Sequence, residues 1–211
     1  MVLNHIHWLG HDAFRVDGPR TVYFDPYEIG EGRPEADLIL ISHDHFDHCS
    51  PEDVESIQGA STVIVTIKAA AEKLSGTTRI VEPGDAITVR GIEVEAVPAY
   101  NVNKFRSPGE PFHPQDAGHV GFVVTMDGQR IYHAGDTDHI PEMGDLEAID
   151  VALLPVSGVY VMTAEEAIEA ARTIEPDVAV PMHVGRGIGS PDAAAAFKDG
   201  APVDVVILEM E

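Results

Sequence analysis

Short apolar runs, broken by polar and Gly/Pro-rich segments, dominate the hydrophobic pattern of this chain of 211 residues. Two such runs, 120–126 and 130–136, flank Asp127-Gly128, a dipeptide that predicts a hairpin turn. Other runs of strand length, rich in β-branched and aromatic residues, predict strands over 3–10, 13–18, 21–26, 36–42, 61–66, 86–89, 92–99, 150–156, 177–183 and 203–208.

Helices are predicted between these strands. Ser50, Pro51 and the two acidic residues after them predict a helix start, because they supply an N-cap, a proline at the first helical position and acids in the first turn. The other helices are predicted over 68–74, 163–174 and 190–197. Strands in both halves of the chain with helices among them predict two sheets covered by helices, a layered α/β arrangement.

One long connection departs from this pattern. Residues 100–118 contain three prolines, two glycines and no hydrophobic periodicity. Compact domains rarely keep so long a loop without a functional reason. We therefore expect the 100–118 loop to lie beside the functional site.

The charge of the chain disfavours some binding partners for electrostatic reasons. Thirteen Lys and Arg residues face 36 Asp and Glu residues, which gives a formal net charge of −23. Such a field repels phosphate backbones and anionic bilayers, so neither nucleic acid nor membrane is an expected partner. A solvated acidic surface and adaptation to high salt both explain this composition, and the choice between them stays open.

The remaining composition is typical of an ordinary globular protein. The apolar runs are too short to span a bilayer, the N-terminus has no signal-peptide pattern, and the single cysteine, Cys49, permits no intrachain disulfide. We expect one domain over 1–211, a cytoplasmic location and a small-molecule substrate. Assembly into a homo-oligomer is left open.

The densest group of metal-binding side chains lies at residues 43–48. His43 and His45 are two residues apart, so on an extended segment they project to the same side. Asp47 and His48 follow where the chain turns toward the predicted helix. Two histidines for one ion and an Asp–His pair for another would use this spacing fully, and imidazole with carboxylate suits zinc, iron or manganese. The alternative is a solvated polar loop, which this pattern disfavours.

The run His43-Asp44-His45-Phe46-Asp47-His48 resembles the H-x-H-x-D-H signature of the metallo-β-lactamase superfamily. The fragments "WLGHDAFRV", "VYFDPY", "IDVALLPVSG" and "MTAEEA" are similar to a small-domain branch of metal-dependent hydrolases related to ascorbate-6-phosphate lactonase. The resemblance implies an αβ/βα sandwich of four layers, with two mixed β-sheets flanked by helices and the metals on loops at the strand ends.

The same resemblance assigns further ligands. Asp136, in a Gly-Asp-Thr turn, resembles the carboxylate that bridges two metals, and His183 resembles the last ligand of the second metal. Asp47 would ligate the second metal and orient the attacking hydroxide. Two divalent ions are implied, Zn²⁺ first and Mn²⁺ or Fe²⁺ as alternatives. The full ligand set is His43, His45, Asp47, His48, His113, Asp136 and His183.

One ligand of the first metal requires a choice. Close relatives of the lactonase branch usually carry a histidine after a Pro-Ala-x strand end, where this chain has Asn101. His113, in the 100–118 loop, is the residue we assign to this position. His119 and an empty position are the alternatives.

Basic residues near the expected site suggest the substrate. Lys104 and Arg106 fall in the 100–118 loop, and Arg186 follows His183 by three residues. They are candidates for binding a phosphate or carboxylate through charge-assisted hydrogen bonds. The alternative is that they only offset local acidity.

The expected activity is hydrolysis, by a metal-bound hydroxide, of a small anionic ester, lactone or phosphoester. Two other readings stay open: a mononuclear iron oxidoreductase of the dioxygenase type, and a metal-binding protein with a degenerate site.

Overall fold

The computed structural model describes residues 2–185 and 187–211. Its first sheet has six strands: β1 (Ile6–Gly10), β2 (Ala13–Val16), β3 (Val22–Phe24), β4 (Ala36–Ile41), β5 (Gln58–Thr66) and β6 (Thr77–Ile80). The strands follow one another in chain order across the sheet. β1, β2 and β3 are antiparallel, whereas β3 to β6 are parallel.

The second sheet has seven strands, in the order β15-β14-β13-β12-β11-β8-β7. In chain order, with the separate ribbon of β9 and β10 included, the bounds are β7 (Ala86–Val89), β8 (Ile92–Pro98), β9 (Phe105–Ser107), β10 (Glu110–Pro111), β11 (Val120–Met126), β12 (Gln129–His133), β13 (Val151–Pro155), β14 (Val178–Met182) and β15 (Asp204–Val205). β12 to β15 are parallel, and the strands from β7 to β12 are antiparallel.

Three of the four helices begin after a capping side chain, and α2 follows Ile67 without one. They are α1 (Pro51–Ile57), α2 (Lys68–Ala71), α3 (Ala164–Ile174) and α4 (Pro191–Gly200). Ser50 accepts a hydrogen bond from the N–H of Asp53, and Thr163 with Glu166 forms the predicted capping box. Short 3-10 turns cover Val2–His5, Gln115–Ala117 and Pro141–Asp145.

The two sheets face each other across a shared apolar core. Buried side chains of both sheets belong to one hydrophobic cluster. The ring of His133, at the end of β12, stacks on Phe24 of β3 with centroids 5.1 Å apart. This contact holds the ends of the central strands of both sheets together, and those ends carry the polar residues described below.

These elements confirm the α/β layered fold, with mixed sheets flanked by few helices. Several elements differ from the sequence prediction. α2 ends at Ala71 rather than at residue 74, and β5 begins at Gln58 rather than at residue 61. The first strand begins only at Ile6 after a 3-10 turn, the last strand shortens to Asp204–Val205, and β6 was not predicted because this edge strand is largely exposed and lacks an apolar run. The 100–118 loop carries the β9–β10 ribbon and a 3-10 turn. In the described part of the chain, no helix has the length and apolarity to cross a bilayer.

Candidate metal centre

The polar residues of the site follow the carboxyl ends of strands in both sheets. The segment His43–His48 leaves β4, Asp136 follows β12, and His183 follows β14. Since chain segments that leave parallel strands emerge at the same edge of a sheet, these side chains meet. A hydrogen bond of 3.1 Å from the N–H of Val120 to the carbonyl of Ser42 ties the two sheets together at this edge.

A first donor group consists of His43, His45 and His113. One nitrogen from each lies within 4.8 Å of the other two. His43 and His113 are buried and His45 is half-buried, and His43 Nε2 lies 3.0 Å from His45 Nδ1. Burial lowers the pKa of His43 well below its usual value and also lowers that of His45, so both rings are neutral and able to bind a cation.

Asn101 does not leave a gap in this group. Its side-chain oxygen accepts hydrogen bonds from the backbone N–H of His113, at 2.8 Å, and from His113 Nδ1, at 3.0 Å. Its amide nitrogen donates to the carbonyl of Tyr160 at 2.9 Å. Asn101 therefore orients His113, whose ring lies beside His43 and His45, and the assignment of His113 as the remaining ligand stays a prediction.

A second donor group consists of His11, Asp12, His48 and His183. Their ligand atoms also lie within 4.8 Å of one another, and all four residues are buried. His48 Nε2 lies 3.3 Å from Asp136 Oδ1 and 3.7 Å from Asp12 Oδ2. Neither His11 nor Asp12 was in the predicted ligand set.

Asp136 lies between the two groups. Its Oδ2 is 3.2 Å from His113 Nε2 and 3.5 Å from His183 Nε2. Burial alone would raise its pKa, but the imidazoles of His48, His183 and His113 hold the pKa of Asp136 well below its usual value. This carboxylate can therefore face both groups in its charged form, as expected for a bridging ligand.

Four histidines turn the same nitrogen toward the centre. Each donates its Nδ1–H to a fixed acceptor, which leaves the Nε2 lone pair for an ion. The pairs are His43–Ser42 (2.9 Å), His48–Asp25 (2.8 Å), His113–Asn101 (3.0 Å) and His183–Ser157 (2.8 Å).

Several buried atoms at the centre lack hydrogen-bond partners among the described residues. They are both oxygens of Asp12, Oδ1 of Asp136, and Nε2 of His48 and His183. Unsatisfied polar atoms are costly inside a protein unless a ligand occupies the space between them. The donor chemistry, the tautomers and these atoms all fit divalent cations.

Asp25 connects the two groups behind the histidines. Its carboxylate accepts from the backbone N–H and hydroxyl of Ser42, at 2.7 and 2.6 Å, as well as from His48. Burial would lower the pKa of His48, but Asp136 and Asp25 raise it well above its usual value. Without a cation, the His48 imidazolium thus offsets the buried carboxylates, and cation binding releases its proton.

Asp47 and His119, two other predicted candidates, lie next to these groups rather than within them. The Asp47 carboxylate is 3.2 Å from His11 Nε2 and belongs to neither donor group. Burial would raise the pKa of Asp47, but the hydrogen bond from His11 lowers it to about 2. His119 is buried, with its ring centroid 4.9 Å from that of His43, and its Nδ1 has no partner among the described residues.

The three basic candidates differ in position. Arg106 lines a cavity over the first donor group. Lys104 does not line it, because its ammonium is held by Glu166 at 2.6 Å and lies 3.4 Å from Asp138. The substrate-binding role predicted for Lys104 stays a prediction. Arg186 lies outside the described residues.

The cavity over the centre has a volume of about 340 Å³. Its lining combines metal-binding, aromatic and basic side chains. They are His45, Phe46, Asp47, Arg106, Phe112, His113, Asp136 and Tyr160. Phe46 is 73% exposed at the rim, and the rings of Phe112 and Tyr160 meet edge to face at 4.6 Å.

Comparison with known proteins agrees with this geometry. A model of the β-lactamase superfamily domain matches residues 5–183. A UPF0173 metal-dependent hydrolase of Methanoculleus marisnigri is 40% identical, over 83% of this chain and 79% of that protein. A relative of the same name from Methanopyrus kandleri is 34% identical, over 97% and 96% of the two chains.

A solved structure extends the likeness to three dimensions. The crystal structure of a protein from Parabacteroides distasonis, assigned as a metal-dependent hydrolase, has a TM-score of 0.85 at 34% identity and covers 98% of this chain and 93% of that one. The chain belongs to the metallo-β-lactamase superfamily, among its metal-dependent hydrolases. The resemblance drawn from the H-x-H-x-D-H run is thereby confirmed.

Proposed function

We propose that this protein is a hydrolase that uses two divalent metal ions, Zn²⁺ in the first instance, to cleave a small anionic ester, lactone or phosphoester. The observation that carries the proposal is the arrangement of the histidines. Four of them present Nε2 toward one centre with Nδ1–H fixed behind, and a charged carboxylate, Asp136, lies between the two donor groups. Mn²⁺ and Fe²⁺ suit the same donors.

The two donor groups divide the ligands between the ions. His43, His45 and His113 would hold the first ion, and His48 with His183 would hold the second. Asp136 would serve both, since its two oxygens face histidines of both groups. When bound, such ions lower the pKa of water toward neutrality and polarise the substrate oxygen.

Asp47 is the residue proposed to act on the attacking water. It lines the cavity together with His45 and His113, and its low pKa keeps it charged at neutral pH. Its carboxylate can accept a hydrogen bond from a water in the cavity and so orient the oxygen lone pair toward the substrate. The hydrogen bond from His11 fixes the carboxylate in this position.

Arg106 is the residue proposed to bind the anionic group of the substrate. Its guanidinium lies over the Phe112 ring, 5.5 Å from the centroid, and makes no ion pair or hydrogen bond with the residues that the structure describes. By contrast, Lys104 and Arg130 are each paired with a carboxylate. In a chain with a net charge of −23, an unpaired guanidinium at the cavity favours a carboxylate or phosphate ligand.

The cavity limits the size and type of substrate. A volume of about 340 Å³ suits a small molecule, and the rings of Phe46, Phe112 and Tyr160 offer apolar contact beside Arg106. The formal net charge of −23 disfavours polynucleotides, because it repels their phosphate backbones. The proposed partner is therefore a small molecule, with no nucleic acid.

A panel of activated phosphodiesters, carboxylic esters and lactones, assayed with Zn²⁺ or Mn²⁺, tests this function. We expect hydrolysis that a chelator abolishes and that Asp136→Asn reduces at least about 100-fold, because loss of a ligand costs more than loss of a residue that only orients one. His139→Ala is the matched control, since this histidine bonds to Thr173 away from the centre. Hydrolysis that survives both the chelator and Asp136→Asn, or a single iron per chain with oxygen uptake, would contradict the proposal.

A further inference from the structure

We infer that the substrate has two dissimilar ends: an anionic group beside Arg106, and an apolar acyl or alkyl group that a second cavity binds. The inference rests on the proposed function and specifies the substrate class of the same site. The second cavity has a volume of about 330 Å³. Three side chains line both cavities, namely Phe46, Asp47 and Tyr160. The cavities are therefore two parts of one cleft, and Asp47, the residue proposed to act on the attacking water, lies where they meet.

The two cavities border different donor groups of the centre. His45 and His113, which belong to the first donor group, line the first cavity. His11, which belongs to the second group, lines the second cavity. It lies in the turn between β1 and β2, which is strained because His11 has a φ of 52°. A substrate held over the centre meets both groups, so the parts on either side of its scissile bond enter different cavities.

The second cavity differs from the first in the chemistry of its walls. The side chains that line only the second cavity include Tyr27, Val159 and Ile188. Among the residues that the structure describes, no lysine or arginine lines it, whereas Arg106 lines the first. Sites for small molecules are mostly apolar cavities in which a few polar groups fix the orientation of the ligand. The second cavity therefore suits a hydrocarbon group, and the carboxylate of Asp47 at its border would repel a second anion.

Exposed apolar side chains are grouped at this cavity. Phe46 is 73% exposed, Tyr160 is 42% exposed and Val159 is 39% exposed, and all three line it. A group of large exposed apolar side chains marks a binding surface, because each leaves apolar area in contact with water. An apolar part of the substrate would cover this area, and its burial would add to the affinity.

The aromatic walls of the cleft are held in place. Tyr160 has a φ of 67°, in the left-handed region that non-glycine residues seldom adopt, and such strain persists only where the surroundings fix it. Its carbonyl accepts a hydrogen bond from the side-chain amide of Asn101, and its ring meets Phe112 edge to face. The ring of Phe46 meets that of Tyr27 edge to face, with centroids 5.8 Å apart. The walls are thus positioned before a substrate binds.

Two series of esters test this substrate class. The acyl esters of 4-hydroxybenzoate share one carboxylate and differ in chain length from acetyl to hexanoyl, and the alkyl monoesters of terephthalate present the two ends in the reverse order. With Zn²⁺-loaded wild type, kcat/KM in one of the series should rise about two- to fourfold for each methylene until the cavity is filled. The succinyl ester of 4-hydroxybenzoate, which carries a second carboxylate, should react more slowly than the butyryl ester. No rise in either series, or a faster succinyl ester, would overturn the inference.

Val159→Trp tests where the apolar group binds. The indole would fill the second cavity, so the ratio of kcat/KM for the longest and shortest esters should fall at least about fivefold. Ile80→Trp is the matched control, because it adds the same ring at an exposed position of β6 that lines neither cavity, and its ratio should equal that of wild type. Loss of folded or metal-loaded protein cancels in this ratio. An unchanged ratio in Val159→Trp, or an equal fall in both variants, would overturn the inference.

Calorimetry with the matching amides separates this inference from the proposed function. N-acyl-4-aminobenzoates keep both ends of the ester and resist hydrolysis. Their affinity should rise with chain length in wild type and lose this dependence in Val159→Trp, whereas Arg106→Ala should lower it by the same factor at every length. Binding or hydrolysis that is independent of chain length would overturn the inference and leave the proposed function standing. Binding that rises with chain length, without hydrolysis of any ester, lactone or phosphoester, would contradict the proposed function and support the apolar cavity.

Discussion

The two donor groups of the centre contain the same kinds of side chain but are built differently. The first includes the half-buried His45 and a histidine from the 100–118 loop, and a neutral amide, Asn101, orients that histidine. The second is fully buried and held by a charged carboxylate, Asp25, and by a strained turn. The first group therefore borders the cavity, whereas the second lies within the core.

Substitution of Asp25 and Asn101, the two residues that orient histidines, is the most direct test of whether the two donor groups differ. Asp25→Asn should lower the affinity for the second ion by about 10- to 100-fold. The substitution removes the carboxylate that aligns His48 and makes its Nε2 more basic. Asn101→Ala should lower the affinity for the first ion by only about 10-fold, because the hydrogen bond that is lost comes from a neutral amide. Competition with a chromophoric chelator measures both affinities.

Asn103→Ala is the control for the loop, since Asn103 lies two residues from Asn101 and bonds to Glu166 away from the centre. An equal effect of Asp25→Asn and Asn101→Ala on both ions would show that the two groups are not distinct.

Substitution of Arg106 tests the proposal that the first donor group faces the substrate. Arg106→Ala should raise KM for an anionic substrate by about 10- to 100-fold and leave metal content and kcat nearly unchanged, because a charge-assisted contact made equally in the ground and transition states is lost. Arg79→Ala removes the same charge from an exposed strand and should have no effect. Steady-state kinetics with matched anionic and neutral substrates decides the point, and an equal rise in KM for both would refute the assigned role.

A smaller effect concerns how the 100–118 loop is anchored. Burial would raise the pKa of Glu166, but Lys104 and the Thr163 N–H lower it from the ordinary value of 4.5. A carboxyl with a depressed pKa in the folded protein contributes stability that is present above its ordinary pKa and is lost as the pH falls below it. Glu166→Gln keeps a side chain that can form the capping box and removes the charge.

The free energy of unfolding in urea should be lower for Glu166→Gln by about 0.5–1 kcal/mol at pH 7, since the pair is partly exposed. The gap between wild type and variant should close as the pH falls below 4.5. A gap independent of pH would show that the Lys104 ion pair does not anchor the loop.

The sequence predicted the parts of this molecule that depend on neighbours in the chain. The strands, the capped helices and the spacing of His43, His45 and His48 follow from local pattern, and the family resemblance added Asp136 and His183. The order of strands within the two sheets could not be read from periodicity. The exposed edge strand β6 was missed because burial of an apolar face is the signal that reveals a strand.

The parts that were missed depend on packing between distant segments. Asp25 precedes a proline in a short loop, and nothing in its neighbourhood indicates that it contacts Ser42 and His48. No sequence pattern around Asp12 indicates that it lies beside His48 and His183; the sequence shows only that it follows a glycine-histidine pair in a short turn. The sequence assigns His113 to the position where Asn101 replaces a histidine, but only the structure shows that Asn101 itself bonds to His113.

The position of Trp8 beside the candidate metal centre makes its fluorescence useful. It is the single tryptophan of the chain, and its indole N–H donates to the carbonyl of His11, the residue before Asp12. Indole fluorescence is sensitive to the polarity and hydrogen bonding of its surroundings. Ion loading at the inner end of the centre therefore has a built-in optical reporter, readable in the unlabelled protein during a titration.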